Sequence, residues 1–280
     1  MSQRDRIDLH LHSNFSDGAD SPEEVAKAAD AAGLAAAALT DHDTLDGLPR
    51  FMACAEKYPE LTLIPGVEIS TRFNNRELHI VGLWVDPGCA ELAEFLSQMR
   101  ENRRKRAEIM AIKLAALGYP LPEEEWRGLS VVGRMHFARM LFKHYRFSDL
   151  NDVFAQLLRR GSPAFVPRPL PPPETAVAVL HRAGAAAVWA HPVFVQAGER
   201  GWMKRVLKHL VPAGLDAVEV YYSGFSPQQI ELVSELAQHN GLAFSGGSDC
   251  HDISGSPPVG GTMPVPAALL AQLEARRPMK

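Results

Sequence analysis

The sequence contains little cysteine: three residues in a chain of 280. Cys54, Cys89 and Cys250 lie far apart, and none of them belongs to a CxxC pair. An odd number of isolated cysteines argues against a disulfide framework, and their spacing argues against a zinc site built from thiolates. We therefore expect buried, reduced thiols in a fold that depends on its hydrophobic core.

Long apolar runs are also missing. No stretch approaches the roughly 20 apolar residues that a membrane-spanning helix needs, so we expect no membrane partner. The amino terminus, MSQRDRIDLH, passes from polar residues almost directly into a predicted strand and leaves no room for a secretory signal. These absences predict a cytoplasmic protein. The chain also lacks a nucleophile elbow and a glycine motif that cradles phosphate, so we expect no serine triad and no P-loop.

The net charge of −4 conceals an uneven distribution. Residues 100–168 contain 14 Lys or Arg and 7 Asp or Glu, which gives this segment a net charge of +7 and the rest of the chain −11. The densest basic run is RENRRKR at residues 100–106. Charge runs are usually solvated helix faces, and we interpret this one in that way.

Short apolar runs alternate with alanine-rich amphipathic stretches, which is typical of βα units and a mainly parallel sheet. The first unit is a strand over residues 6–11, then Ser21 and Pro22 as the start of a helix that ends near Gly33. Residues 100–168 break the rhythm because they are basic, helical in pattern and poor in strands. We predict that they form an inserted helical domain between α/β residues 1–99 and 169–280. The other predicted strands are residues 34–40, 61–69, 78–85, 185–190, 217–221 and 242–245.

Six of the eleven histidines lie at or near the ends of these strands. His10 and His12 are two residues apart, so their side chains project from one face of the first strand. Loops at the carboxyl ends of parallel strands build the sites of α/β folds. Four imidazoles and two acids occur at or near the corresponding positions of other strands, and one acid lies in the turn after the first strand. These residues, with His10 and His12, predict a metal site. They are Asp17, His42, Glu68, His79, His191, Asp249 and His251.

Only nitrogen and oxygen donors are available, which favours Zn, Mn or Fe. Nine donors exceed the needs of one ion, and carboxylates shared between neighbouring ions allow a bridging hydroxide to attack phosphorus. Asp41 and Asp43 flank His42. We predict that Asp43 orients an imidazole by hydrogen bonding or carries a proton.

The motifs HLH at residues 10–12, SDG at 16–18, TDHD at 40–43, GVE at 66–68 and SDCH at 248–251, with His79 and AHP at 190–192, resemble the polymerase and histidinol phosphatase (PHP) phosphoesterase family. The resemblance implies an α/β fold, a distorted (β/α)7 barrel with an inserted small helical cap domain, and three divalent metal ions, with Mn preferred to Zn or Fe. It assigns the ligands in three sets, which share Glu68 as a bridge: His10, His12, Glu68 and Asp249; Glu68, His79 and His191; Asp17, His42 and His251.

The insertion has its own likeness. VGRMHFAR at residues 132–139 and RRGSPAFVPR at residues 159–168 resemble the PHP branch that contains nucleoside 3′,5′-bisphosphate phosphatases and 5′-to-3′ exoribonucleases. Guanidinium groups bind phosphate oxygens in pairs, so basic residues of a cap would hold an anionic substrate. The predicted substrate contacts are Arg134 and His136, followed by Arg159, Arg160 and Arg168.

The resulting expectation is a metal-dependent phosphatase or phosphodiesterase. Its substrates would be nucleoside 3′,5′-bisphosphates such as pAp, short 5′-phosphorylated RNA, or both, hydrolysed by a metal-bridging water, with no obligate protein partner. Two alternatives stay open. Amidohydrolase barrels also begin with HxH and would cleave C–N bonds, and a non-catalytic, metal-stabilised module could use the basic insertion to bind RNA.

Overall fold

In the computed structural model, which describes residues 4–192 and 199–278, eight strands form a nearly closed sheet in the order β7-β6-β5-β4-β3-β2-β1-β8. The sheet nearly closes where the end of β1 meets the residues that follow β7: Leu11 pairs with Cys250, and the amide of Asp249 donates to the carbonyl of His10 at 2.9 Å. The strands are β1 Arg6–Leu11, β2 Ala36–Leu39, β3 Thr62–Phe73, β4 Arg76–Leu83, β5 Ala186–Trp189, β6 Ala217–Tyr222, β7 Ala243–Gly247 and β8 Val265–Pro266.

Helices connect most of the strands and cover the sheet. Ser21 begins α1, as the sequence predicts, through a capping box with Glu24, and Ser226 begins α8 in the same way with Gln229. The helices are α1 Pro22–Ala31, α2 Leu48–Met52, α3 Ala90–Ala116, α4 Arg134–His144, α5 Leu150–Val153, α6 Pro173–Arg182, α7 Glu199–Leu210, α8 Pro227–His239 and α9 Leu269–Glu274. Among the described residues, no helix combines the length and apolar character needed to cross a membrane.

The sheet is less parallel than the sequence pattern predicts, because β4 runs antiparallel to both β3 and β5. Asn74 and Asn75, with φ angles of 45° and 65°, form the tight turn that joins β3 to β4 directly. One consequence concerns His79. It lies in the first half of β4, opposite Ser70 of β3, so the reversed direction of β4 brings it to the same rim as the carboxyl ends of the parallel strands.

Residues 100–168, which we call the cap region, have a hydrophobic cluster of their own. Met110, Phe137 and Leu158 belong to it, whereas Leu96 and Met99 of the same long helix α3 pack in the barrel core. The predicted boundary at residue 100 therefore falls inside a continuous helix. The division into a barrel and an inserted domain stays a prediction, but the change of core occurs within a few residues of the predicted position.

Candidate metal centre

The nine predicted ligands meet at one rim of the barrel, and Glu68 lies at their centre. Its side chain is fully buried. Oε1 lies 2.8 Å from His79 Nδ1 and 2.9 Å from His191 Nε2, and Oε2 lies 2.8 Å from His42 Nδ1. Three imidazoles from different parts of the chain therefore converge on one carboxylate, as a bridging ligand requires.

His10 and His12 face Glu68 from β1 and the turn after it. Each Nε2 atom lies 3.4 Å from Glu68 Oε2. Asp249 completes this group, because its Oδ1 lies 3.4 Å from His10 Nε2 and 3.1 Å from His12 Nε2. The ligand atoms of these four residues lie within 4.8 Å of one another, which agrees with the first predicted ligand set.

Asp17 lies near a further group of imidazoles, on the more exposed side of the cluster. Its Oδ1 lies 3.2 Å from His251 Nε2, and its Oδ2 lies 3.8 Å from His42 Nε2. His12 also belongs to this group, since its Nδ1 lies 4.0 Å from Asp17 Oδ1. His42 in addition clusters with Glu68 and His79. The geometry thus allows His12 and His42 to serve two neighbouring groups, whereas the predicted sets assign each of them to one.

Several potential metal-ligand atoms of this cluster are buried and make no hydrogen bond of good geometry in the described part of the chain, as expected of atoms that bind cations. A buried polar atom without a partner costs free energy comparable to a lost hydrogen bond. Five buried atoms of the cluster make no hydrogen bond of good geometry within the described residues, although they lie 2.8–3.4 Å from other ligand atoms of the cluster. They are Nε2 of His10 and of His12, Oδ1 of Asp17, Nδ1 of His42 and Oε2 of Glu68. Imidazole nitrogens and carboxylate oxygens are common ligands of Zn, Mn and Fe, so this cluster is able to hold metal ions.

Glu219 contacts two residues of the cluster, His10 and His191, and was missed by the sequence analysis. It lies on β6 and is buried, with Oε1 3.1 Å from His10 Nδ1 and Oε2 accepting the backbone N–H of His191 at 2.6 Å. A carboxylate on the second ring nitrogen fixes the tautomer and orientation of an imidazole ligand. The signal in the sequence was an acidic residue inside the apolar strand AVEVYY.

The two acids that flank His42 have different structural roles. Asp41 accepts hydrogen bonds from Ser13 Oγ at 2.6 Å and Ser16 Oγ at 2.5 Å, which ties it to the loop that carries Asp17. Burial raises the pKa of Asp41 to about 6, although these hydroxyl groups oppose the shift.

Asp43 has stronger partners. Its Oδ2 accepts Arg103 Nε at 2.7 Å and Arg168 Nη1 at 3.0 Å, and its Oδ1 accepts the amide of Ser70 at 3.0 Å. Burial opposes ionisation, but the two guanidinium groups hold the pKa of Asp43 well below its usual range. The carboxylate is therefore ionised and occupied by two guanidinium groups and an amide. Within the described residues none of its hydrogen bonds goes to an imidazole, so the role predicted for Asp43 stays a prediction.

A cavity of about 430 Å³ opens beside the cluster. Asp17, His42, His79 and His191 contribute to its lining, so the candidate metal ligands form part of its wall. Five arginines also line it, from the β4 hairpin, from α3 and from the rest of the cap region. They are Arg76, Arg103, Arg106, Arg134 and Arg168. A wall of this composition suits an anionic ligand.

The structure separates the residues predicted to contact substrate. Arg134 lines the cavity, where it stacks on Phe165 at 5.9 Å and makes no hydrogen bond within the described residues. Arg168 also lines the cavity, but its side chain is only 3% exposed and is paired with Asp43. His136 caps α4, accepting the amide of Gly133 at 3.1 Å through Nδ1, and does not line the cavity.

Arg159 and Arg160 do not reach the cavity either. Both are exposed, and Arg160 Nη1 donates to the carbonyl of Asn75 at 3.1 Å. Arg103 and Arg106 line the cavity instead, although the sequence analysis had assigned them to a solvated helix face. The spacing of three residues places both on one side of α3, and this was the available signal.

Comparison with known proteins agrees with this geometry. The PHP domain family matches residues 8–158. The 5′-3′ exoribonuclease Rnm of Escherichia coli strain K12 is 37% identical over 248 residues, which cover 87% of this chain and 84% of that protein. A 3′,5′-nucleoside bisphosphate phosphatase of Chromobacterium violaceum is 35% identical over 278 residues, which cover 96% and 97% of the two chains.

A solved structure with the same fold is that of a protein from Chromobacterium violaceum described as an amidohydrolase, with bound sulfate and no metal. It superposes with a TM-score of 0.88 at 34% identity, covering 98% of this chain and 99% of that one. The family match spans more than half of the chain, and two curated relatives exceed 30% identity over most of their length. The chain belongs to the PHP domain family.

Proposed function

We propose that this protein is a metal-dependent phosphoesterase that hydrolyses phosphate from nucleotides. One observation carries the proposal. In the described part of the chain, a cluster of nine histidines and acids, whose ligand atoms lie close together and include buried atoms without a hydrogen bond of good geometry, borders a cavity whose other charged groups are mostly arginines. Such a cavity suits a phosphate ester held against bound cations. The relatives named as an exoribonuclease and as a nucleoside bisphosphate phosphatase support the same class of reaction.

The proposed metal complement is three divalent ions, with Mn preferred to Zn or Fe. His10, His12, Glu68 and Asp249 would hold one ion, and Glu68 with His79 and His191 a second. Asp17, His42 and His251 would hold the third. Divalent ions in such a site lower the pKa of water and neutralise the charge of phosphate oxygens. Glu219 keeps His10 in the orientation that this binding needs.

The arginines of the cavity divide into two kinds. Arg103 and Arg168 are engaged by Asp43, so they contribute positive potential and stiffness. Arg134 has no carboxylate partner in the described part of the chain. Within that part, Arg106 donates one hydrogen bond, from Nε to the carbonyl of Val166 at 3.0 Å. Their remaining N–H groups are available to phosphate oxygens. We propose Arg134 and Arg106 as the principal substrate contacts, with the cap region acting as the substrate-binding lobe.

The proposed substrates are nucleoside 3′,5′-bisphosphates and short 5′-phosphorylated RNA. Both carry a second phosphate that the arginines could hold while the first is hydrolysed. A cavity of about 430 Å³ lies in the range that small ligands occupy, and it therefore favours a mononucleotide or the end of a short strand.

The test is a release assay with metal-replete protein. Adenosine 3′,5′-bisphosphate, adenosine monophosphates and a short 5′-phosphorylated RNA would be compared, with inorganic phosphate and nucleotide products quantified. We expect hydrolysis of the bisphosphate, the RNA or both, and little from substrates with a single phosphate. Activity on C–N bonds with no phosphate ester cleaved would favour the amidohydrolase alternative. The superposing protein of Chromobacterium violaceum is called an amidohydrolase, so this alternative is tested as well. RNA binding that survives chelation, without turnover, would favour the binding module.

A further inference from the structure

In the described part of the chain, the cavity is lined by one acidic side chain that the proposed metal centre does not use. Glu77 lies on β4, two residues before His79, so the two side chains share a face of the strand. Alternate residues of a strand are about 6.7 Å apart, and both residues line the cavity. Glu77 therefore lies beside the candidate ligands, farther along the strand from Glu68 than His79 does. A substrate held at those ligands would have its adjacent chemical groups near Glu77.

The surroundings of Glu77 make a carboxylate unexpected. Among the described residues, the charged side chains that line the cavity, apart from candidate ligands, are the five arginines and Glu77. A carboxylate in an anion-binding cavity repels the phosphate groups that the arginines attract. If Glu77 served only to neutralise an arginine, a close ion pair would be expected.

The pairing of Glu77 is weak. Its only hydrogen bond within the described residues comes from Arg168 Nη2, at a distance of 3.4 Å, whereas Arg168 Nη1 is 3.0 Å from Asp43. The Glu77 side chain is 37% exposed and that of Arg168 is 3% exposed. An ionised carboxylate has about four lone-pair sites, so most of the accepting capacity of Glu77 faces the cavity unused.

A substrate that binds here without penalty must present a hydrogen-bond donor to Glu77. Phosphate groups are mostly fully ionised at neutral pH and then carry no such donor. In a nucleoside 3′,5′-bisphosphate both the 3′ and the 5′ oxygens are esterified, which leaves the 2′-hydroxyl as the free hydroxyl of the sugar. The first nucleotide of a 5′-phosphorylated RNA has the same arrangement.

We propose that Glu77 accepts a hydrogen bond from the 2′-hydroxyl of the substrate and thereby makes the cavity selective for ribonucleotides over 2′-deoxyribonucleotides. The inference rests on the proposed function, because it assumes a nucleotide in this cavity. It adds a sugar-binding subsite that lies between the candidate metal ligands and the arginines of the cap region. A 2′-deoxy substrate would leave the carboxylate facing phosphate groups without a donor.

The experiment compares kcat/KM for adenosine 3′,5′-bisphosphate and its 2′-deoxy counterpart in the wild type, Glu77→Ala and Glu77→Gln. We expect the wild type to prefer the ribonucleotide by roughly 10-fold to 100-fold, the factor of a hydrogen bond to a charged group. In Glu77→Ala the ratio should fall towards one, because the ribonucleotide is hydrolysed less efficiently while the deoxynucleotide is not. Glu77→Gln keeps the shape without the charge and should also reduce the ratio.

Glu124→Ala is the matched control, since Glu124 is an exposed acid of the cap region outside the cavity. It should leave the ratio at the wild-type value. A wild type without preference for the ribonucleotide, or a preference that persists in both Glu77 variants, would overturn the role of Glu77 while leaving the phosphoesterase proposal intact. Failure of the metal-replete wild type to hydrolyse either nucleotide or any other phosphate ester would instead reject the proposed function.

Discussion

Arg103 and Asp43 form a buried ion pair between the long helix α3 and the loop that carries His42, with Nε 2.7 Å from Oδ2. Asp43 has a left-handed φ of 52°, and its amide donates to the carbonyl of Glu68 at 2.9 Å. Arg168, at the far end of the cap region, reaches the same carboxylate oxygen. Both ends of the cap region are thus fastened to a residue beside two candidate metal ligands, so cap and metal centre hold a fixed relative position.

The first prediction concerns the stability that this ion pair provides. Asp43→Asn leaves the buried Arg103 without its counter-charge. It leaves Arg168 with only the longer contact to Glu77, so we expect the free energy of unfolding to fall by about 3–5 kcal/mol. The measurement is denaturant unfolding of the metal-free protein, followed by circular dichroism. Glu101→Gln removes the exposed partner of Arg104 and serves as the control, with little change in the unfolding midpoint. Equal midpoints for Asp43→Asn and the wild type would contradict the role assigned to the pair.

The second prediction is the pH dependence of the same difference. Arg103 and Arg168 keep the pKa of Asp43 in the folded protein below its usual value of 3.8, even though burial opposes this. A lowered folded-state pKa contributes stability above the unfolded-state value and loses it as the pH falls through the folded-state value. The stability gap between the wild type and Asp43→Asn should be constant from about pH 6 to 8 and should narrow below about pH 4. A gap that widens on acidification would show the opposite linkage.

The third prediction concerns Arg134 as a substrate contact. Loss of a charge-assisted hydrogen bond to phosphate costs about 1.5–3 kcal/mol, so Arg134→Ala should lower kcat/KM by about 10-fold to 100-fold. Steady-state phosphate release from adenosine 3′,5′-bisphosphate measures this. Arg146→Ala, which removes an exposed arginine of the same cap region, controls for the loss of one positive charge. Similar kinetics in the two variants would remove Arg134 from the substrate site.

The fourth prediction concerns Glu219. Its carboxylate holds the ring of His10 and the backbone of His191, so Glu219→Gln should weaken metal binding by about 10-fold to 100-fold without changing a ligand. Competition with a chromophoric chelator measures the affinity directly. Glu231→Gln, on the exposed face of α8, is the control. Unchanged affinity in Glu219→Gln would mean that the ring of His10 is held by other contacts.

The sequence predicts the barrel strands and the convergence of the nine candidate ligands because both depend on local patterns. Alternation along β1 places His10 and His12 on one face, and βα order brings strand ends to one rim. The direction of β4 was not predictable in this way, since it depends on the Asn74-Asn75 turn replacing a helix. That reversal also changes how His79 reaches the rim.

The cap region shows where local patterns fail. Arg103 and Arg106 belong to a charged run, and a run alone does not say which of its members face inward. Only the packing of α3 against the barrel decides that Arg104 is exposed and Arg103 is buried. Arg159 and Arg160 belong to a sequence motif that resembles a substrate-binding segment, yet in the structure both are exposed and lie outside the cavity.

We propose that Glu68 holds several cations together and that the reaction requires them. The most direct test is a titration of metal-stripped protein with Mn²⁺, during which phosphate release from adenosine 3′,5′-bisphosphate and bound metal per chain are measured together. We predict no release without metal, release that rises until more than one ion is bound, and a flat response in Glu68→Gln. Release that persists in excess chelator, or that is unchanged in Glu68→Gln, would contradict the claim.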